Sequence, residues 1–143
     1  MFSKTCEYAI RAVLFIAQKT SDGQRVGIKE IAKNINSPEH FIAKILQELT
    51  RRDVLQSVKG PNGGFYLDQK SRKQSLADIV MAVDGDQIFK GCGLGLKQCS
   101  ETHPCPIHHE FKQVRKDLYR MLQKARVDSF SESLENNLSF LTR

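Results

Sequence analysis

Three cysteines fall within 14 residues, at Cys92, Cys99 and Cys105, in a C-x6-C-x5-C spacing. Thiolates so placed can ligate a metal or cluster, or be oxidised. Structural zinc sites commonly use knuckles with about two to four residues between paired cysteines, and no such pair occurs here. Wider spacing lets a loop wrap around a larger object, and the irons of an iron–sulfur cluster prefer thiolates. Cys105 precedes Pro106, where a long helix is expected to open. Its sulfur would then feel the positive helix end, which favours thiolate. The plain alternative is three free thiols in a loop.

A cluster needs a fourth position. His108 lies one helical turn beyond Cys105, so both side chains can face one site. Glu7, on the first helix, is the alternative and would reach across a dimer interface. His103 and His109 are nearby but less well placed. Cys6 sits on an apolar helix face and reads as core. The segment from Lys90 to Pro106 carries Gly91, Gly93 and Gly95 along with the cysteines, so it is loop-like. Beyond the cysteines there is neither a nucleophile–base motif nor a dinucleotide fingerprint, so no enzyme and no small-molecule substrate are expected.

At 143 residues the chain can hold one domain with a real core plus one extra long element. The formal charge is +6, and its distribution matters more than its sum. Residues 1–74 hold 13 Lys/Arg against 7 Asp/Glu, whereas residues 75–143 hold 9 of each. A basic front half suits a polyanion, because lysines and arginines that neutralise phosphates release condensed counterions. The plain reading of such charge is a solvated surface. No stretch approaches the ~20 apolar residues of a membrane span. Met1-Phe2-Ser3-Lys4 leads straight into an amphipathic pattern rather than a signal peptide. A soluble cytoplasmic protein is expected, where structural disulfides are uncommon.

The elements around the loop follow from periodicity. Cys6, Ala9, Ile10, Val13, Leu14 and Ala17 mark one face of a helix from about Lys4 to Gln18, with Ser3 as its cap. Ile28 to Lys33 gives two helical turns, and Asn34-Ile35-Asn36 a tight connection in which Asn tolerates left-handed angles. Ser37 reads as the N-cap of a helix that opens at Pro38 and runs to about Arg51. Two helices joined so closely are a helix-turn-helix signature. Phe41, Ile42, Ile45 and Leu49 face its core. His40, Ala43, Lys44, Gln47 and Arg51 face outward, where the polar members suit base edges and phosphates in a major groove. From Val54 the period changes. Val54 to Lys59, the turn Gly60-Pro61-Asn62-Gly63-Gly64 and Phe65-Tyr66-Leu67 predict a β-hairpin, a wing with Lys59 and Asn62 at its tip.

Ser75 opens a short helix over Leu76 to Val83. A long helix is expected from Pro106 to Arg126, with Ile107, Phe111, Val114, Leu118, Met121 and Ala125 stepping as an a/d seam. Phe111, Val114, Leu118, Met121 and Ala125 are its candidate dimerisation residues, although an intramolecular core stripe has the same pattern. Phe130, Leu134, Leu138 and Leu141 predict a last packing helix over Ser131 to Leu141. The expected fold is mainly α with a small β-wing: a winged helix-turn-helix head over residues 1–83, a cluster-binding loop over 84–106, and dimerisation and packing helices over 107–143.

Glu7-Tyr8-Ala9-Ile10-Arg11-Ala12, Lys59-Gly60-Pro61-Asn62-Gly63-Gly64-Phe65 and Ser75-Leu76-Ala77-Asp78-Ile79 add a further layer. With the cysteine triad and Cys105-Pro106-Ile107-His108, they make the chain resemble, from end to end, the Rrf-two family of bacterial regulators of the IscR and NsrR types. The resemblance implies a homodimer on a palindromic operator, with control of iron–sulfur assembly, nitric-oxide defence or redox genes. It implies an iron–sulfur cluster near the dimer interface, with [2Fe-2S] ahead of [4Fe-4S]. His108 matches the ligand of the IscR type, and Glu7 that of the NsrR type. Ala43 stands where IscR-like proteins carry a Glu that gates site choice, which argues against switching between two DNA site classes. A cluster-free member that senses by thiol oxidation or zinc is the alternative function, and an electron-transfer iron–sulfur protein a remote one.

Overall fold

The computed structural model describes all 143 residues, Met1–Arg143. Helix α1 (Lys4–Lys19) is capped by the Ser3 hydroxyl, which accepts from the Cys6 N–H. Its buried residues run from Cys6 through Ala9 and Ala12 to every position between Val13 and Ala17. Such all-round burial belongs to a central helix rather than to one lying on a surface.

Helices α2 (Ile28–Asn34) and α3 (Glu39–Arg51) pack on α1 as the predicted helix-turn-helix. Asn36 takes the left-handed conformation that the connection requires, at φ 54°. The Ser37 N–H bonds the Ala32 carbonyl at 2.9 Å and closes α2. Ser37 does not cap α3, however. The cap position falls on Pro38, and the Ser37 hydroxyl donates to the Pro38 carbonyl instead, so the start shifts by one residue. Helix α3 ends the same way as α2. Asp53 is left-handed at φ 59°, and the Val54 N–H reaches back to Leu49 O at 2.9 Å.

Strands β1 (Gln56–Val58) and β2 (Gly64–Tyr66) form the antiparallel wing, with Ser57 opposite Phe65. Val26 adds an isolated bridge to Phe65, exchanging both backbone hydrogen bonds at 2.8 and 2.9 Å. That approach leaves no room beside Gly64. A Cβ there would lie 2.8 Å from the Val26 carbonyl oxygen, and the residue has φ +144°.

A short helix α4 (Gln69–Arg72) then leads to α5 (Leu76–Asp84), which has a full capping box between Ser75 and Asp78. Short α6 (Gln87–Lys90) precedes the cysteine loop. Neither α4 nor α6 has the length to show a hydrophobic period. Helix α7 (His108–Lys124) is the long helix, shorter at both ends than the Pro106–Arg126 span expected. At its C-terminal end, Arg126 pairs with Ser75 in an isolated antiparallel bridge, and the Leu76 N–H bonds Ala125 O at 2.9 Å. Those backbone bonds draw the chain out of the helix.

A 3-10 turn (Val127–Phe130) and α8 (Ser131–Glu135) finish the chain. The expected packing helix to Leu141 stops early because Asn137 is left-handed at φ 54°, and Leu138 N–H bonds Ser133 O at 2.8 Å. Phe130, Leu134 and Leu141 still pack on the core, but Leu138 is 77% exposed. The large core joins α1, α2, α3, the wing base and Val127. A smaller cluster of Cys6, Ala77, Val80 and Leu122 ties α1 and α5 to α7.

Replacing Gly64 with Ala should force the wing off Val26 and strain the backbone, at a cost of about 1–3 kcal/mol. The urea midpoint is expected to fall with an unchanged slope; a midpoint equal to the wild type would contradict the close approach.

Candidate metal centre and nucleic-acid interface

On the outer face of α3, His40, Lys44, Gln47 and Arg51 are all exposed, and Ala43 is half-buried between them. Lys59 and Asn62 are exposed at the wing tip. A groove of about 650 Å³ runs between α2, α3 and the wing, lined in part by Lys29, Gln47, Thr50 and Lys59. Arg51 is not wholly free: Glu48 accepts from it at 2.9 Å and from Arg52 at 2.7 Å. These bonds, the Arg52 one first, hold the Glu48 carboxyl below its ordinary pKa. Arg25 carries no signal of its own in the sequence. Its guanidinium lies 5.8 Å from the Tyr66 ring centroid and donates to Asn62 O at 3.4 Å, so a cation braces the wing. Its place just before Val26 becomes meaningful only once Val26 is known to join the wing.

The second candidate site lies between α6 and α7. Cys92 Sγ and Cys105 Sγ are 3.9 Å apart, and Cys99 Sγ lies 3.4 Å from His108 Nδ1. The four predicted ligands are therefore brought together in two pairs, although no three of the chain's His, Cys, Asp and Glu side chains converge on one metal position. His108 is buried at 3% exposure, unlike His103 and His109, which are exposed. Its Nε2 lies 3.3 Å from Glu101 Oε2 but makes no hydrogen bond there. Glu101 also pairs with Lys112, and that bond first, then His108, keeps its carboxyl below the usual range. With Nε2 turned to the carboxylate, Nδ1 is the ring nitrogen facing the thiols.

Backbone N–H groups of Leu94 and then Leu96 lower the pKa of the Cys92 thiol, with Cys105 and the Arg115 charge adding. Glu7, the alternative ligand, is half-exposed on α1, with its carboxylate 3.0 Å from Lys4 Nζ. Within one chain, the structure does not bring it into the two cysteine pairs. Cys6 is fully buried in the small cluster, and burial first, then the nearby Asp84, pushes its thiol up to about 12. It is a core residue, as the helix period indicated.

One residue of this site went unnoticed in the sequence. Arg115, on the inner face of α7, is 7% exposed. Its guanidinium donates to Lys90 O at 2.7 Å, to Gly91 O, and to Cys99 Sγ at 3.2 Å. In the expected heptad it falls one position beyond Val114, and nothing in the period distinguishes an inward Arg from an outward one. The same helix packs Phe111 against the loop so closely that a Cβ at Gly93 would sit 2.8 Å from the ring. Of the expected seam, Phe111, Leu118 and Ala125 are half-buried within the protomer, whereas Val114 and Met121 are 58% and 57% exposed.

A helix-turn-helix followed at once by a wing defines a winged-helix DNA-binding regulator. The chain belongs to the Rrf2 family, whose model, described as an iron-dependent transcriptional regulator, matches residues 2–133. A protein of Aquifex aeolicus bearing the name of an HTH-type transcriptional regulator is 34% identical over 120 residues, 82% of either chain. The HTH-type transcriptional regulator NsrR of Oceanobacillus iheyensis is 22% identical, covering 96% of this chain and 94% of that one. In fold, the chain is similar to CymR of B. subtilis, a global cysteine regulator (TM-score 0.74, 17% identity, 92% and 96% covered). It is likewise similar to T. potens IscR (TM-score 0.73, 17% identity, 97% and 92% covered). These are transcriptional regulators, a non-enzymatic family, and no helix here is long and apolar enough to cross a membrane.

The burial pattern has a direct test. Native cluster-free protein treated with a maleimide should gain three adducts, on Cys92, Cys99 and Cys105, and a fourth on Cys6 only in denaturant. Labelling of Cys6 under native conditions would refute its place in the core.

Proposed function

We propose that this protein is a homodimeric, cytoplasmic transcriptional regulator whose operator affinity is set by an iron–sulfur cluster held by Cys92, Cys99, Cys105 and His108. The observation that carries the reading is the buried His108 imidazole, which faces Cys99 while Cys92 and Cys105 pair beside it. Three thiols and an imidazole suit such a group chemically, and Glu101 beside Nε2 leaves Nδ1 as the nitrogen turned toward Cys99. Glu7 is the alternative fourth ligand, from a partner subunit. A [2Fe-2S] cluster is preferred to [4Fe-4S]. When bound, the group would supply one-electron redox chemistry and reactivity toward oxygen or nitric oxide.

The chain's own part is positional. His40, Lys44, Gln47 and Arg51 would enter a major groove of a palindromic operator, with Lys59 and Asn62 at the backbone or minor groove. Val114 and Met121, exposed on α7, would meet their counterparts in a second copy, beside Phe111, Leu118 and Ala125. The cysteine loop joins the head to α7, and Phe111 rests on it at Gly93. A change of loop conformation would therefore shift α7, and with it the spacing of two recognition helices. A thiol-oxidation reading has one observation in its favour, the 3.9 Å between Cys92 and Cys105. Those thiols would lose two electrons and two protons to a peroxide, forming one disulfide and two waters.

Anaerobic reconstitution with iron and sulfide should give a coloured wild-type protein, and Cys99→Ala should lose the visible bands and most of the iron. At fixed salt, loaded and cluster-free wild type should differ in operator affinity. A colourless wild type would favour the thiol reading, and equal affinities would sink the switch. The double substitution Val114→Glu/Met121→Glu is expected to give monomers by light scattering and at least a tenfold loss of operator affinity. A persistent dimer would place the interface elsewhere.

A further inference from the structure

Arg115 breaks a rule that the rest of the chain obeys. A guanidinium cannot shed its proton, so burying one demands hydrogen-bond acceptors and negative charge nearby. Here it is 7% exposed, and no carboxylate lies within ion-pair distance. Its acceptors are two backbone carbonyls at the end of α6 and the sulfur of Cys99. Its Nε, also buried, has no partner. The Phe111 ring, 5.5 Å from the guanidinium carbon, provides a further electron-rich neighbour. Lys90 O and Gly91 O, immediately before Cys92, accept from the Nη1 that shares a carbon with the Nη2 bonded to Cys99. One planar fork thus spans both ends of the Cys92–Cys99 segment.

We infer that Arg115 is the positioning residue of the centre, fastening Cys99 and the start of the loop to α7 and balancing the negative charge of the thiolates. The charge argument rests on the proposed cluster reading, while the mechanical one does not. Three thiolates around a dication core leave a net negative charge whether the core is [2Fe-2S] or [4Fe-4S]. That charge is the counter-ion which Arg115 otherwise lacks. Reduction by one electron makes the centre more negative, so a cation donating to a ligand sulfur stabilises the reduced form and raises the potential. Because the same side chain grips the loop backbone, a change at the Cys99 sulfur is felt at once by α7.

The test compares full-length wild type with Arg115→Lys and Arg115→Met. After anaerobic reconstitution, a mediated titration with dithionite reads the midpoint potential. Arg115→Met should raise the oxidised-to-reduced ratio at fixed poise at least tenfold, a fall of 59 mV for one electron, and Arg115→Lys less, since it keeps the charge but not the fork. An unchanged potential at wild-type iron content in both variants would overturn the charge role. Amide exchange in cluster-free protein reads the mechanical role without any metal. Segment 91–99 should exchange at least tenfold faster in Arg115→Met, and measurably faster in Arg115→Lys should the Met variant fail to fold, with α1–α3 protected as in wild type. Unchanged loop exchange would overturn that role. A wild type that takes up no iron would refute the cluster reading and with it the charge role, leaving exchange to decide the tether alone.

Discussion

From Cys6 to Ala17, helix α1 has six fully buried side chains and scarcely a wet face, and the other elements take their positions from it. The helix-turn-helix packs on one side, α5 on another, and the 3-10 turn and α8 on a third. Ala9, Ala12 and Ala17 let these elements approach closely, while Val13 and Ile16 fill the space between. Burying an aliphatic side chain of that size contributes about 1.5–3 kcal/mol. The two hydrophobic clusters both include α1 residues, the larger one under the head and the smaller one around Cys6, Ala77, Val80 and Leu122. A shift of α7 against α5 is therefore a shift against the same helix on which the recognition helix rests.

This arrangement gives the loop between α6 and α7 an unusual position. Its two flanks are fixed by backbone and side-chain bonds, Ser75–Arg126 at the far end of α7 and the Arg115 fork at the near one. The loop itself, from Gly91 to Ile107, has no regular secondary structure and a largely exposed surface. Fixed supports around an irregular, exposed segment let the loop change conformation while the head stays folded. The wing has the opposite character, held at its base by Val26 and braced by Arg25 on Tyr66.

Much of the architecture was legible because it is written in periodicity and punctuation. The 3.6-residue period of α1, the Asn-rich connection before α3, the Gly-rich wing turn and the Ser75 cap each carry a local physical meaning. What escaped was set by tertiary contacts. Asp53 ends α3 in a left-handed conformation no better advertised than any other Asp. Val26 becomes part of the wing only because the chain folds it there. The C-terminal apolar period from Phe130 to Leu141 continues past Asn137, where the helix does not, so Leu138 fell on the wrong side of the break. In the site, spacing picked out Cys92, Cys99, Cys105 and His108, which the fold gathers into two pairs. It did not find Arg115 or Glu101, because a charged residue on an amphipathic helix or in a polar loop looks solvated until its burial or its partner is seen.

Arg115 shares with His108 an uncommon kind of burial. Buried polar atoms in a folded chain almost always find partners, since each one left bare costs roughly 1–3 kcal/mol. Only two buried side-chain polar atoms in the protein lack a hydrogen bond, His108 Nε2 and Arg115 Nε. Both side chains also contact Cys99, the imidazole through Nδ1 and the guanidinium through Nη2. Had the loop only to close the gap between α6 and α7, apolar residues at 108 and 115 would serve it better. An imidazole and a guanidinium thus lie buried on either side of one sulfur, the guanidinium with an unpartnered Nε and the imidazole with the Glu101 carboxylate beside its second nitrogen.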